Sequence, residues 1–265
     1  MAIAPAKQPR VQDEPAYVLH RHDWSESSLI LEVFSRRHGR VAVVAKGVKR
    51  PTSQFRPVLL PLQPLRLGWG GDAEVRTLKA AQWQGGHVMP VGDALLAGYY
   101  LNELLLKLLA RDDPHDLLYD HYADAVSALV EAQVPQATVL RAFELLLLRE
   151  AGFLPALDEE SASLTPLAPD EHYHLVPDHG LRLLEANDPH PDAHSLSGAH
   201  WLALQQALDD PYPFAALLQV CVGARGNALR QPLRQLLHYH SGVQVFKTRQ
   251  LMLDVQRLRP PRTPL

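Results

Sequence analysis

The feature that most constrains the fold is a change of hydrophobic period near Val91. Upstream of it, apolar residues come in short runs rich in β-branched side chains, broken by polar or glycine-containing turns. Downstream, apolar residues recur at helical spacing over long stretches. The two periods bury different faces of the chain, so β structure is expected first and helical structure after it. The expected class is α+β, with one domain over residues 1–86 and a helical domain over 87–265.

In the first domain, Ala16–His20, Ser28–Ser35 and Val41–Ala45 read as strands. The last two flank the turn Arg36-Arg37-His38-Gly39-Arg40, with a glycine at the reversal. Val58–Trp69 contains Pro61 and Pro64, which confines it to an edge or bent strand. Gly70-Gly71-Asp72 makes a further turn before Ala73–Ala81. About five short strands with tight turns suggest a small closed or half-open barrel.

Beyond Val91, Ala94–Leu109 is apolar all round, the mark of a buried helix. His115–Glu131 and Pro135–Ala151 follow, with Gly152 where a C-terminal cap belongs. Leu154–His194 is rich in Pro, Asp, Glu and His and reads as an irregular insertion, over roughly 155–195, holding one hairpin (Tyr173–Val176, Leu181–Leu184). Ser197–Leu208, Pro213–Tyr239 with a break near Gly223 or Gly226, and Lys247–Leu258 read as the closing helices, and the Pro-rich tail Arg259–Leu265 as frayed.

The net charge of −3 conceals an asymmetry. Residues 1–86 hold 13 Lys/Arg against 7 Asp/Glu, residues 87–221 hold 5 against 21, and residues 222–265 hold 8 against 1. Two basic ends flank an acidic middle, and a polyanion is drawn to the ends. No apolar run is long enough to span a membrane, the first ten residues lack a signal-like apolar stretch, and the single cysteine, Cys221, suits a reducing cytoplasm. A cytoplasmic protein is expected.

Signals for catalysis are weak. There is no Walker A pattern, Gly68, Gly70 and Gly71 precede no helix, and no nucleophile elbow is present. The acidic pairs Asp13-Glu14, Asp112-Asp113, Glu159-Glu160 and Asp209-Asp210 sit beside prolines or element ends, where capping and solvation explain them. His172-x-His174, His190-x3-His194 and His238-x-His240 invite a metal reading, but structural zinc favours cysteine pairs and none exist. No enzyme activity, metal or other cofactor is expected.

The strongest functional signal is Ala45–Pro57, which carries Lys46, Lys49, Arg50 and Arg56 with Gly47, Thr52, Ser53 and Phe55. Cations, hydroxyls and free backbone N–H groups meet phosphates, and flat rings receive bases. Phe55, Trp69 and Trp83 are candidate rings, and Phe55 suits the core more than a platform. Arg36, Arg37 and Arg40 form either a second contact region or a solubilising turn. Near the C terminus stand Arg225, Arg230, Arg234, Lys247, Arg249, Arg257, Arg259 and Arg262. Arg230 and Arg234 share a helix face beside Leu229, Leu233, Leu236 and Leu237. Such a set can hold an acidic hydrophobic peptide, extend a nucleic-acid surface, or form a plain exposed face.

These residues resemble the DNA repair protein RecO family. The resemblance rests on the Ala16–His20 strand, Glu26-Ser27-Ser28, Gly39-Arg40, Ala45-Lys46-Gly47, Ser53, Leu62-Gln63-Pro64 and Val75–Ala81. Further on it rests on Arg141-x-Phe143-Glu144, Gly152-Phe153-x-Pro155 and Lys247-x-Arg249. It implies an N-terminal OB-fold and a helical C-terminal domain, and a recombination mediator that binds single- and double-stranded DNA, anneals complementary strands and assists RecA loading. The partners implied are RecR and the acidic C-terminal tail of single-stranded DNA-binding protein. Many members carry a four-cysteine zinc module after the central helix. Leu157–His194 has no cysteine, so the module is expected to be degenerate and zinc is not carried over. The rival readings are an OB-type RNA-binding protein, a hydrolase built on the histidines, and an adaptor without nucleic-acid contact.

Overall fold

The structure is a computed structural model that describes residues 10–131, 133–184 and 195–258. His190 and His194, together with Arg259, Arg262 and the rest of the tail, lie outside the described residues. The apolar runs of the first domain pair into a closed barrel of β1 (Arg10–Asp23), β2 (Leu29–Ser35), β3 (Gly39–Ala45), β4 (Leu65–Gly70) and β5 (Val75–Trp83), in the order β1-β2-β3-β5-β4. The five-stranded OB-like barrel is the expected one.

Two strands differ from expectation. β1 spans 14 residues rather than Ala16–His20, because register shifts at Val11/Glu14 and Val18/His20 let one strand bend from β4 to β2. The polar Asp13-Glu14-Pro15 stretch hid that continuity. Val58–Trp69, expected as an edge or bent strand, is strand only from Leu65, past both prolines, and it is no edge, since β4 pairs with β1 and β5. Closure leaves the barrel without an edge.

Topology also explains the long basic loop. β3 and β5 pair in parallel, and β3 and β4 are not neighbours, so residues 46–64 must cross an end of the barrel. Val48, Leu59 and the part-buried Phe55 pack against the barrel core with Val18, Val33 and Val43. Phe55 is therefore core. Trp69 is 2% exposed and belongs to the same core, which removes it as a platform for bases.

The chain divides into two compact units. The first takes residues 1–90 and Asn102–Ala123, and the second takes Val91–Leu101 and Asp124–Leu265. Helix α1 (Asp93–Leu108) runs from one into the other, and α2 (Asp116–Ala128) begins in the first. Tyr17 and Phe34 lie on the outer surface of the barrel against Tyr119 and Tyr122 of α2, with Tyr17 and Tyr122 rings 4.9 Å apart. The Asn102 amide donates to the Leu19 carbonyl at 3.0 Å and its oxygen accepts the Tyr122 hydroxyl at 2.6 Å. Both faces of β1 are thus covered, which is why Tyr17, Val18 and Leu19 read as a continuous apolar run.

At Gly39, φ is +63° and an added Cβ would lie 1.8 Å from the Asp113 carbonyl oxygen. Gly39→Ala is expected to lower stability by at least about 2 kcal/mol, from the left-handed backbone and the collision together. Chemical denaturation checks this; an unchanged midpoint would mean that the turn does not approach Asp113.

The second unit is organised on α3 (Gln136–Glu150), in which Thr138 through Leu148 are all buried. The Gly152 N–H donates to the Arg149 carbonyl at 2.9 Å and the Phe153 N–H to the Leu148 carbonyl at 2.7 Å, closing the helix with a Schellman cap as expected. The insertion is more ordered than expected. β6 (Glu159–Glu160) pairs with β7 (Thr165–Pro166), and β8 (His172–Val176) is flanked by β9 (Gly180–Leu183) and β10 (Ser195–Ser197). Leu167, Tyr173, Leu175, Leu181 and Leu196 are buried, and the Trp201 indole donates to the Tyr173 carbonyl at 3.2 Å. The hairpin expected at Tyr173–Val176 and Leu181–Leu184 is present as β8 and β9, whereas β6, β7 and β10, of two or three residues, are too short to show a period in the sequence.

Helix α4 (Gly198–Leu208) follows, and the expected helix Pro213–Tyr239 becomes α5 (Pro213–Val220), α6 (Ala224–Ala228) and α7 (Arg230–Ser241). The break falls at Gly223, with φ of +63°; Gly226 lies inside α6 with no room for a Cβ against the Cys221 carbonyl. Helix α8 (Lys247–Leu258) ends the described chain. Among the described residues no helix is long and apolar enough to cross a membrane.

Candidate nucleic-acid interface

The connection after β3 is built of consecutive tight turns. Gly47, at φ +70°, accepts the Arg50 N–H at 3.1 Å, the Arg50 carbonyl accepts Ser53 N–H at 3.0 Å, and the Phe55 carbonyl accepts Val58 N–H at 3.1 Å. Val48, Phe55, Val58 and Leu59 pack against the barrel core, which leaves Arg50, Thr52, Gln54 and Arg56 on the exposed side. Lys46, Arg50 and Arg56 are exposed and make no ion pair among the described residues. Ser53 is half-buried.

Lys49 has a different role. Its ammonium pairs with Asp23 at 2.6 Å and donates to the Ser25 carbonyl at 2.9 Å, while its N–H donates to the Ser27 carbonyl at 2.9 Å. The Gly47 N–H adds a bond to the Ser28 hydroxyl at 3.3 Å. Lys49 therefore clasps the basic loop to the β1–β2 turn, and its hydrogen bond holds the Asp23 carboxyl below the usual carboxylate range. Next to the clasp is a cavity of about 180 Å³ lined by Arg21, Leu29, Val48, Lys49, Arg56 and Leu59. Three of its six lining residues are cationic and none is acidic.

The turn 36–40 lies elsewhere. It precedes β3, whereas the basic loop follows it, so the two occupy opposite ends of a seven-residue strand, about 20 Å apart. Its arginines are also engaged within the first unit. Arg36 donates to both carboxylate oxygens of Asp120, from Nε at 2.9 Å and from Nη2 at 2.7 Å. Arg37 donates from its backbone and its guanidinium to the fully buried Glu14, each at 2.7 Å. Arg40 lies 3.6 Å from Glu32, which Arg111 also engages. The structure thus gathers Lys46, Lys49, Arg50, Ser53 and Arg56, and separates Arg36, Arg37 and Arg40 from them.

In the second unit, Arg230 and Arg249 meet at a pocket of about 240 Å³ with Tyr100, Leu140, Arg141 and Met252. Below it the buried Glu144 is held by Arg141, at 2.6 and 2.8 Å, and by the Tyr100 hydroxyl at 2.8 Å. Burial raises the Glu144 carboxyl above its ordinary range, against the pull of Arg141 and the Tyr100 hydroxyl. Burial likewise lowers Arg249, whose charge is offset by Glu144 but crowded by Arg230 and Arg234. An apolar floor ringed by three arginines fits a peptide with both acidic and hydrophobic groups. Arg225 and Lys247 are exposed outside this lining; Arg234 lines a separate shallow cleft on α7.

Two of the candidate histidines, His238 and His240, have structural surroundings. His238 Nε2 accepts from Arg234 at 3.2 Å, so Nδ1 carries the proton to the Val243 carbonyl at 2.5 Å, and His240 stacks on Phe153 at 4.3 Å. Among the described residues no three His, Cys, Asp or Glu side chains are placed to hold a metal. Cys221 is buried, and burial pushes its thiol up to about 12, so it is no thiolate at neutral pH.

Sequence reasoning missed Arg21, Trp24 and the place of Arg141. Arg21 and Trp24 lie in a run without basic density, and only the clasp brings them to the basic loop. Arg141 stood in a recognised motif, Arg141-x-Phe143-Glu144, but nothing in the sequence places it under a pocket.

The family described as "Recombination protein O N terminal" matches residues 11–86, and "Recombination protein O C terminal" matches residues 89–249. A protein of Polaromonas naphthalenivorans described as "DNA repair protein RecO" is 62% identical over 94% of this chain and 98% of its own length. Proteins of the same description from Albidiferax ferrireducens and Variovorax paradoxus are 61% and 60% identical, each over 94% of this chain and 98% of their own length.

Proposed function

Since the chain belongs to the RecO family of DNA repair proteins, we propose that it is a recombination mediator that binds single- and double-stranded DNA and anneals complementary strands. It assists RecA loading together with RecR, without breaking covalent bonds, in the cytoplasm. The observation that carries this reading is the loop at one end of the barrel, where Lys46, Arg50 and Arg56 are exposed and unpaired among the described residues. Annealing requires two polyanions to approach, and a cationic surface lowers that repulsion by neutralising phosphates, with release of their counterions favouring binding. No bond-breaking group is needed. Residues 1–86 act as the DNA-binding domain and 87–265 as the helical domain that receives partners.

The pocket of Arg141, Arg230 and Arg249 takes the acidic C-terminal tail of single-stranded DNA-binding protein, its carboxylates meeting the arginines and its apolar side chains the Leu140–Met252 floor. The test is strand annealing on naked DNA and on DNA coated with single-stranded DNA-binding protein, with and without that protein's tail. Both substrates are expected to anneal, and Arg230→Ala with Arg249→Ala should slow only tail-bearing coated strands, by at least about tenfold. Naked strands that anneal no faster than they do spontaneously would overturn the reading.

A further inference from the structure

We propose that Trp24 is the platform on which this protein stacks an unpaired base of single-stranded DNA, an inference that rests on the DNA-binding reading above. Of the four tryptophans, Trp69 and Trp201 are buried in the two cores, and Trp83 at the end of β5 is 49% exposed. Trp24 is 66% exposed. A single exposed aromatic needs no explanation by itself; its setting does.

Trp24 is pinned on both sides. Its own N–H donates to the Ser28 carbonyl at 3.3 Å, and the next N–H, of Ser25, reaches the same oxygen at 3.4 Å. Before it Asp23, and after it the Ser25 carbonyl, are both held by the Lys49 ammonium. Because the backbone of the turn is already ordered, a base that covers the indole need not order the loop, which lowers the cost of stacking. The same lysine neutralises Asp23, the carboxylate nearest in sequence, leaving Glu26 as the other acid of the turn.

Phosphate binding lies alongside. Lys49 lines the cavity that Arg21 and Arg56 also line, and its backbone and side chain both bond to the turn that carries Trp24. A nucleotide has a charge and a flat face, and this end of the barrel offers a partner for each. Bases within a duplex are already stacked on one another, so the platform discriminates in favour of single strands. The clasp gives Lys49 a positioning role, and the phosphate contacts fall to Lys46, Arg50, Arg56 and Arg21.

The test uses the full chain with Trp83→Phe, so that Trp24 is the exposed indole, titrated with oligothymidylate and with a blunt duplex. Oligothymidylate is expected to quench Trp24 emission and the duplex to leave it unchanged. Trp24→Ala should weaken oligothymidylate binding by about 5- to 150-fold, the range for losing one base–aromatic stack. Trp24→Phe should recover most of that loss. Duplex affinity and the salt slope should hold, because no charge is removed. Unchanged oligothymidylate affinity in Trp24→Ala, equal losses for both DNAs, or Phe no better than Ala would each overturn the proposal. A variant that loses only RecR binding would overturn it too, in favour of a protein contact. The charge variants discussed below separate the two levels: if they weaken DNA binding while Trp24→Ala does not, only the platform is wrong. If they too leave binding intact, the DNA-binding reading has failed with it.

Discussion

Neutralising Lys46, Arg50 and Arg56 together, each to Gln, is expected to weaken single-stranded DNA binding about 100-fold at 0.1 M salt. Each phosphate contact on a single strand contributes about 0.7 to the slope of log affinity against log salt, so three contacts contribute about 2, and at 0.1 M that is about two decades of affinity. The slope itself should therefore fall by about 2, an outcome that misfolding does not mimic. All three side chains are exposed and free of ion pairs among the described residues, so their removal leaves folding intact. Arg36→Gln and Arg37→Gln form the contrast. Their partners are Asp120 and the buried Glu14, so these changes should act mainly on stability, and Arg37→Gln most, because it leaves a buried carboxylate with less compensation. Binding measured from 0.05 to 0.5 M salt checks the set; a triple variant with the wild-type slope places the phosphates elsewhere.

Glu144→Ala is expected to destabilise the protein by about 3–5 kcal/mol, the usual effect of stranding a buried charge. Arg141 is 9% exposed at its side chain and has Glu144 as its ion-pair partner, and the Tyr100 hydroxyl loses its acceptor as well. Replacing both charges, Arg141→Met with Glu144→Leu, should restore most of the stability, since paired burial of two ions is close to neutral against apolar packing. The double variant also separates fold from function. It should unfold near the wild-type midpoint yet bind an acidic peptide tail more weakly, because one of the three arginines at the pocket is gone. Denaturant titration and peptide titration on the same preparations decide it. A Glu144→Ala protein of wild-type stability would mean that Arg141 finds water or another anion.

Much of the fold was legible because its causes are local. The β-branched runs at Leu29–Ser35 and Gly39–Ala45 and the glycine between them specify a hairpin within a few residues. The all-apolar α1, the buried α3 and the Gly152 cap likewise follow from neighbours in sequence. What local pattern could not carry was the bent β1, the two- and three-residue strands of the insertion, and the fate of each exposed-looking charge. Lys49 and Arg50 are adjacent and chemically alike in the sequence, yet one is a clasp and the other is free among the described residues.

The amino-acid order by itself determined that a barrel precedes helices, that positive charge collects after β3 and at the C-terminal end, and that the family is RecO. It did so because period, turn chemistry and charge density are properties of short stretches. Only the tertiary structure decided which cations can meet a phosphate, since neutralisation depends on partners far away along the chain, such as Asp120 for Arg36, 84 residues on. Barrel closure sent the 46–64 connection across the end that carries the β1–β2 turn, and so brought Arg21 and Trp24 to the basic loop.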